Sequence, residues 1–275
     1  MAKSAKPVLT DPSLLSFEEA KRLIGEAATS DTILVGGQAI EFWAAYYGIE
    51  AGLPAVTRDI DFLGSLRDAM LADAGLTLPH KLHKATLDDA TPNTGVISVR
   101  IPGKPAPTPI DYLCAIEGVS TSEARKMAVE VRIEGVFLKV LHPLLCLESK
   151  VTNLWKFPSK RRAEGVEQAR MATAIVSAYL GELLESGSAR DTLKAIERVL
   201  EFALSRQSHY AALACGIDTL EALPLKHLAR SKDERIARFM GKRWPLAAER
   251  IESERAAYTH TANRMPGKAS GKRRR

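Results

Sequence analysis

The sequence predicts a mixed α/β fold of the α+β type, in which a mixed sheet with flanking helices is followed by a C-terminal helical subdomain. Two observations lead to this prediction. Short apolar or alternating runs bounded by glycine and proline, which are typical of strands, are confined to the first half of the chain. After Pro143, apolar residues recur at helical spacing and no convincing strand follows to about Arg255. We therefore predict a first domain over 1–141 and a helical subdomain over 142–262.

The elements of the first domain follow from local patterns. Ser16 and Glu19 form a capping-box pattern, which predicts a helix to about Ala28. The apolar run 32–35 predicts a buried strand that ends in two glycines, and a helix from Gln38 to Tyr47 comes next. A loop is predicted over 49–57. The same reasoning predicts strands at 58–63, 95–101 and 109–116, a helix at 66–74, and a hairpin over 128–141 that turns at Glu134 and Gly135.

Composition limits the class of protein. The chain has 275 residues, of which 45% are hydrophobic and 26% are charged, as in soluble globular proteins. It has no apolar stretch long enough to cross a bilayer and no secretory signal pattern at its start, so we expect a cytoplasmic protein without a membrane partner. Its three cysteines, at positions 114, 146 and 215, form no Cys-x-x-Cys pair. This argues against a zinc ribbon or a disulfide framework and predicts three small buried side chains.

The net charge of +6 is partly local, because the last nine residues hold five basic side chains. We predict that 263–275 is a disordered basic tail. Such a tail is either a solvated chain end or a source of non-specific attraction to a polyanion, and the sequence leaves both interpretations open.

Two carboxylates on one predicted strand form the first candidate site. Asp59 and Asp61 are two residues apart, so on a strand their side chains project to the same face. Two ionised carboxylates held side by side need a compensating positive charge, and a divalent cation such as Mg²⁺ supplies it. The pair on its own is also common on solvated surfaces.

The context of this pair strengthens the prediction. Gly36 and Gly37 lie between a strand and a helix, where backbone N–H groups can approach a phosphate. Asp111 lies inside an apolar strand, where a carboxylate is costly unless it is paired or bound to a metal. Convergence of Asp111 with Asp59 and Asp61 would therefore create a cation site next to the two glycines.

These motifs resemble a known family. The run 34–39 with its two glycines, the run 57–62 with its two aspartates, and Asp111 are similar to the polymerase-beta-type nucleotidyltransferases, and most similar to the AbiEii-like and MNT-like proteins. Many of those proteins are toxins of bacterial toxin–antitoxin or phage-defence systems. The resemblance covers roughly residues 30–160.

The resemblance implies a nucleotidyltransferase-like sheet and transfer of a nucleotidyl group from an NTP to a hydroxyl of RNA, protein or a small molecule. It implies that Asp59, Asp61 and Asp111 are the catalytic residues and hold two Mg²⁺ ions, or Mn²⁺ in their place. It further implies that Gly36 and Gly37 position the phosphates and that a cognate antitoxin is a partner. Lys150 matches a lysine that AbiEii-like proteins carry after their sheet.

Several residues support more than one interpretation. Gln38 stands where many relatives have serine or threonine, and its amide can still donate to a phosphate, so we include it with Lys150 among the nucleotide-binding residues. A glutamine at this position also suits an alternative hypothesis, in which the protein is a catalytically inactive module that binds nucleotide, nucleic acid or a partner protein. Lys150 could equally be an ordinary exposed lysine. His80 and His83 lie in a segment that is either a loop or a strand, and a metal site there lacks a third ligand. A basic cluster over 156–162 is either a solvated face or a contact for RNA or triphosphate.

Overall fold

A mixed seven-stranded sheet forms the first part of the chain. The computed structural model describes residues 14–50, 58–86, 88, 89, 91–133 and 136–264. Within these residues the strands run in the order β3-β4-β5-β2-β1-β7-β6. Strand pairs β1–β7 and β2–β5 are parallel and the other pairs are antiparallel. The strands are β1 (Ile33–Val35), β2 (Ile60–Leu63), β3 (His80–Lys84), β4 (Asn93–Val99), β5 (Thr108–Leu113), β6 (Val129–Ile133) and β7 (Val136–Val140).

Helices lie between the strands and make up the described chain after β7. The first four are α1 (Phe17–Ala27), α2 (Gly36–Tyr46), α3 (Leu66–Gly75) and α4 (Thr121–Met127). The later ones are α5 (Pro143–Lys156), α6 (Ala163–Glu185), α7 (Ala189–Ala203), α8 (Arg206–Cys215), α9 (Leu225–Leu228), α10 (Glu234–Arg238) and α11 (Trp244–Arg264). Short 3-10 turns lie at Pro158–Arg161 and Thr219–Ala222, and a π-turn lies at Phe239–Arg243.

Local signals explain where the helices begin. Ser16 and Glu19 form the predicted capping box at the start of α1, and Ser65 and Asp68 form a second one at α3. Helix α5 has Pro143 in its first turn, where the missing N–H costs nothing, and Nδ1 of His142 accepts from the backbone N–H of Leu144. Burial lowers the pKa of His142 to about 4, so this cap is a neutral imidazole.

One face of the sheet is packed against α1 and α3. The rings of Phe62 and Tyr112 stack there with centroids 5.6 Å apart, and the Tyr112 hydroxyl donates to the carbonyl of Ala27 at the end of α1. A Cβ placed on Gly95 would lie 3.0 Å from the Cβ of Ala69, so α3 packs closely on β4. Because side chains alternate along a strand, the neighbours of these residues point to the other face.

An ion-pair network holds α5 in place. Arg198 of α7 donates from Nε and Nη2 to the carboxylate of Glu148, at 2.5 and 2.7 Å, and also pairs with Glu123 of α4. Both Glu148 and Arg198 are largely shielded from solvent, with 11% and 25% of their side chains exposed. A two-point guanidinium–carboxylate contact restricts both translation and rotation. It therefore fixes the helix that carries Lys150.

The predicted fold class is confirmed, and most of the predicted elements form within a few residues of their predicted bounds. The sequence interpretation left β3 undecided between a loop and a strand and missed α4. Helix α2 begins at Gly36, so both glycines belong to the helix and do not precede it. Of the three cysteines, Cys146 is buried and Cys215 is half-buried, but Cys114 is exposed, so the burial prediction was wrong there.

Some predictions fall on parts of the chain that the structure does not describe. The loop over 51–57, the turn at Glu134 and Gly135, and residues 265–275 of the basic tail lie outside the described residues. The division into domains at residue 142 stays a prediction. Within the described residues, no helix combines the length and the apolar character that crossing a lipid bilayer requires.

Candidate metal centre

The pairing of β2 with β5 brings the carboxylates together, and β1 places the start of α2 beside them. In the parallel pair β2–β5, Asp61 lies directly opposite Asp111. In the antiparallel pair β1–β2, Asp61 lies opposite Val35, the last residue of β1. The central carboxylate is therefore flanked by Asp111 on one side and by the start of α2 on the other. Asp59 is the residue just before β2, and its carboxylate lies at the same place. The strand begins at Ile60 and not at Arg58, as the sequence had predicted.

The three side chains converge on one point. One carboxylate oxygen from each of Asp59, Asp61 and Asp111 lies within 4.8 Å of the others. Two oxygens on one octahedral Mg²⁺ at about 2.1 Å are about 3.0 Å apart when adjacent and about 4.2 Å apart when opposite, so the three carboxylates are within reach of a shared cation after small side-chain movements. All three residues are half-buried, so the cluster is partly accessible to solvent. The predicted convergence beside the glycines is thus confirmed.

Gly36 is the residue that makes room for Asp61. Its φ is +67°, a conformation that residues with a side chain rarely adopt. A Cβ at this position would lie 1.9 Å from Oδ2 of Asp61, which is far inside a contact distance. The glycine therefore lets the carboxylate lie against the first turn of α2, where the positive end of the helix favours a negative charge.

The carboxylates of the site repel one another, and two nearby lysines partly compensate for this repulsion. Burial and, to a smaller extent, the carboxylate of Asp59 raise the pKa of Asp61 to about 7 against the opposing charge of Lys150. Burial and Asp59 also raise the pKa of Asp111 to about 6. At pH 7 a carboxylic acid with a pKa of about 7 is only about half ionised, and a positive charge that joins the site favours its ionised form. Hard oxygen donors that repel one another are a donor set that suits a divalent cation such as Mg²⁺ or Mn²⁺.

Lys150 supplies one positive charge from the α5 side. Its Nζ donates to Oε1 of Gln168 on α6 at 2.7 Å, and the residue is half-buried. Burial lowers the pKa of Lys150, while Asp61 is the strongest influence that raises it. The lysine is therefore not an ordinary exposed helix residue. It is a positioned cation that acts electrostatically on the central carboxylate.

Lys160 is a second cation near the site, and its backbone is held firmly. Arg161 donates to the carbonyls of Leu154 and Trp155 at the end of α5. A Cβ on Gly165 would lie 2.0 Å from the carbonyl oxygen of Lys160, so the turn packs directly on the start of α6. The charge of Lys160 lowers the pKa of both Asp61 and Lys150. Its side chain is exposed and so is available to a ligand.

Two of the polar contacts at the site were not predicted. Asn93 donates to Oδ1 of Asp111 at 3.4 Å, from a position where β4 is irregular. Gln168 orients Lys150 from another helix. No motif or spacing in the sequence marks either residue, because each meets its partner only through tertiary packing.

Gln38 is the third residue of α2. It is buried and lines a groove between α1 and α2 together with Leu34. Leu34 precedes Val35 on β1 and opposes Phe62, so its side chain points to the sheet face opposite Asp61. The assignment of Gly37 and Gln38 to nucleotide binding stays a prediction.

The two imidazoles of β3 do not form a pair. Nε2 of His80 lies 3.0 Å from the carbonyl and 3.2 Å from a carboxylate oxygen of Asp73 on α3. His83 is three residues further along the strand, so its side chain points to the other face and is exposed. The sheet itself separates them, which excludes a metal site shared by these two residues.

Comparisons with known proteins add little to this geometry. No family model and no curated protein matches the chain. Among solved structures, the protein JHP933 from Helicobacter pylori is 16% identical, with a TM-score of 0.37 over 93% of this chain and 98% of that chain. A candidate nucleotidyltransferase from H. pylori is 14% identical, with a TM-score of 0.36 over 87% of this chain and 98% of that chain. Similarities at this level of identity and TM-score do not establish a function.

Replacing Gly36 with alanine should damage the metal centre. We expect Gly36→Ala to reduce Mn²⁺ affinity, measured by titration calorimetry, by at least about tenfold, because the methyl group displaces Asp61. Gly48→Ala is the matched control, since its φ is +63° and nothing lies within 4 Å of the added Cβ. It should lose about 1–2 kcal/mol of unfolding free energy from the backbone alone and keep its Mn²⁺ affinity. Equal Mn²⁺ affinities in the two variants would contradict the proposed role of Gly36.

The raised pKa of Asp61 should make stability depend on pH. Because this pKa is about 7 in the folded protein and about 4 when unfolded, the folded state holds a proton that the unfolded chain has lost. In the absence of divalent cations, stability should therefore fall as the pH rises from about 4 to about 7. At pH 8, Asp61→Asn should be more stable than the wild type by about 1–3 kcal/mol in urea denaturation. Asp88→Asn, at an exposed position, is the control. If Asp61→Asn were no more stable than Asp88→Asn, the raised pKa of Asp61 would be refuted.

Proposed function

We propose that the protein is a metal-dependent nucleotidyltransferase that moves an NMP group from an NTP to an acceptor hydroxyl. The observation that supports this proposal is the convergence of Asp59, Asp61 and Asp111 beside the first turn of α2, with Lys150 and Lys160 next to them. Carboxylates alone can hold a cation for structural reasons. Carboxylates flanked by cations on their α5 side also offer places for the phosphates of a substrate.

The residues divide into two groups by their chemistry. Asp59 and Asp61 would hold two Mg²⁺ ions, or Mn²⁺ ions, against a triphosphate, and Asp111 would hold the ion nearer the acceptor. When bound, the ions stabilise the attacking and leaving oxygens of an in-line displacement. Gly36, Gly37 and the N-terminus of α2 favour a phosphate, and Gln38 is assigned to the same role. Lys150 would act on the triphosphate as a point charge oriented by Gln168.

The proposed transfer forms one bond to the α-phosphorus and breaks another. The acceptor oxygen forms a bond to the α-phosphorus, and the bond from the α-phosphorus to the bridging oxygen breaks. Pyrophosphate leaves with the electrons of that bond. The proton of the acceptor hydroxyl passes to the carboxylate of Asp111, which lies nearest the acceptor and acts as the general base.

The proposal also extends to the class of acceptor and to the biological role of the protein. An RNA, a protein or a small molecule could supply the hydroxyl, and the resemblance to AbiEii-like and MNT-like proteins suggests a toxin whose partner is a cognate antitoxin. Growth arrest on expression, with rescue by a neighbouring open reading frame, would support the toxin role. Unimpaired growth at a high level of intact protein would count against it.

The central test measures transfer directly. The protein is incubated with each α-labelled NTP, Mg²⁺, and either total RNA or a protein extract. We expect labelling of one acceptor class that requires Mg²⁺ and falls by at least about a thousandfold in Asp61→Asn, since this change removes a ligand of both cations. Wild-type labelling by Asp61→Asn would end the catalytic role of this residue. NTP binding without any transfer would favour the alternative, an inactive binding module.

Lys150 should matter more than its neighbour Lys156, which lies on the same helix. Lys150→Met keeps the length of the side chain and removes the charge beside Asp61. We expect kcat/KM for NTP to fall by about 10–100-fold, which corresponds to the loss of one charge-assisted contact. Lys156→Met is the control, because Lys156 pairs with Glu117 at 2.6 Å. Equal values of kcat/KM in the two variants would show that Lys150 does not contact the nucleotide.

A further inference from the structure

We propose that the open sheet face beside Asp111 binds a single-stranded RNA acceptor, with Lys81 at a phosphate and His83 at a base. This inference rests on the proposed function and specifies its acceptor. The face, called the acceptor face below, is formed by five residues of β3, β4 and β5: Lys81, His83, Val96, Ser98 and Pro109.

The register of the strands leads from the carboxylates to this face. Val96 lies opposite Asp111, and His83 lies opposite Val96. One row across the sheet therefore runs from Asp61 through Asp111 and Val96 to His83. The next row, two residues along, runs through Pro109 and Ser98 to Lys81. Because strands alternate, all of these side chains share the face of the carboxylates.

The acceptor face is accessible, whereas the other face of the same strands is occupied. Lys81 and His83 are exposed, and Val96, Ser98 and Pro109 are half-buried. On the opposite face, His80 is bound to Asp73 of α3, and Gly95 packs against Ala69. Helix α3 therefore leaves the acceptor face uncovered.

Positively charged side chains lie on both sides of the carboxylates, an arrangement that suits two anionic substrates. Lys150 and Lys160 lie on the α5 side, where the triphosphate is proposed to bind. On the β3 side, the charged groups that share the acceptor face among the described residues of β3–β5 are Lys81 and Asp111 itself, and the imidazole of His83 lies beside them. A phosphodiester backbone that approaches Asp111 from this side meets Lys81 and no additional carboxylate on these strands.

The distances fit a single-stranded RNA whose end lies at the carboxylates. Two strand spacings separate His83 from Asp111, which is about 10 Å. A terminal nucleotide over Val96 and Pro109 would place its hydroxyl near Asp111. The preceding base could then stack on the imidazole of His83, and its phosphate could reach Lys81, as aromatic and basic side chains on sheet faces commonly bind single strands.

A protein acceptor fits this face less well. Stable docking of a protein usually needs large apolar or aromatic side chains at the centre of the contact. Among the described residues, none of the exposed large hydrophobic side chains lies on β3, β4 or β5. The acceptor face instead combines one lysine, one imidazole and small half-buried groups, which is a composition that suits a nucleotide.

The test measures RNA binding separately from transfer. The full chain is titrated into a short fluorescein-labelled single-stranded RNA of mixed sequence, and anisotropy is followed at several salt concentrations. Lys81→Glu should weaken binding by about tenfold and lower the slope of log K against log salt by about one or more. His83→Ala should weaken binding by about fivefold or more without changing the slope, because a stacking contact carries no charge. Lys84→Glu is the matched control on the same strand, and its affinity should stay within about twofold of the wild type.

Several outcomes would overturn the inference. Equal loss of affinity in Lys84→Glu and Lys81→Glu would show diffuse attraction and no defined face. Transfer of label to a protein, with no binding of RNA, would show that the acceptor is of another class. ATP binding in the presence of Mn²⁺ is measured in parallel and should not change in the β3 variants. Failure of ATP binding and transfer in the wild type, with RNA binding as expected, would refute the proposed function and leave the RNA-binding face supported.

Discussion

The register between β2 and β5 is the constraint on which the site depends. It places Asp61 opposite Asp111, while Gly36 leaves the space that the Asp61 carboxylate occupies. A shift of one residue would turn Asp61 to the packed face of the sheet and bring Phe62 to the open one. The stacked rings of Phe62 and Tyr112 prevent such a shift, because they are fully buried on the opposite face. The apolar core thus fixes the position of groups that repel one another.

The helices after the sheet complete the site by adding positive charge from one direction. Lys150 extends from α5, which is held by the ion pair of Arg198 with Glu148 two residues earlier. The turn at Pro158–Arg161 carries Lys160 and is tied to the end of α5 through Arg161. Both cations are therefore positioned by contacts that do not involve the carboxylates. This arrangement limits the movement of the cations when the charge of the site changes.

The sequence predicted the parts of the site that depend on local pattern. Strand alternation and the apolar run around Asp111 were sufficient to propose that three acidic residues meet beside the glycines. They could not show why Gly36 is a glycine, because the reason is a contact with a strand that lies 25 residues further along the chain. Asn93 and Gln168 escaped prediction for the same reason. The short strand β3 was undecided because His80, Lys81, His83 and Lys84 give it no apolar alternation, so its role beside the site is visible only in the register.

The balance of charge sets an order for the proposed binding events. Three carboxylates face two nearby lysines, so the site repels a triphosphate as long as the carboxylates are ionised and no divalent cation is held. Burial and the neighbouring carboxylates raise the pKa of Asp61 and of Asp111, since protonation relieves the unfavourable charge in the absence of a cation. Cation binding and nucleotide binding should therefore be coupled, each strengthening the other. The acceptor side differs, because Lys81 lies two strands away from Asp111, where the field of the carboxylates is weaker. RNA should accordingly bind the acceptor face with little dependence on the nucleotide, and the two substrates then meet at Asp111 from opposite directions.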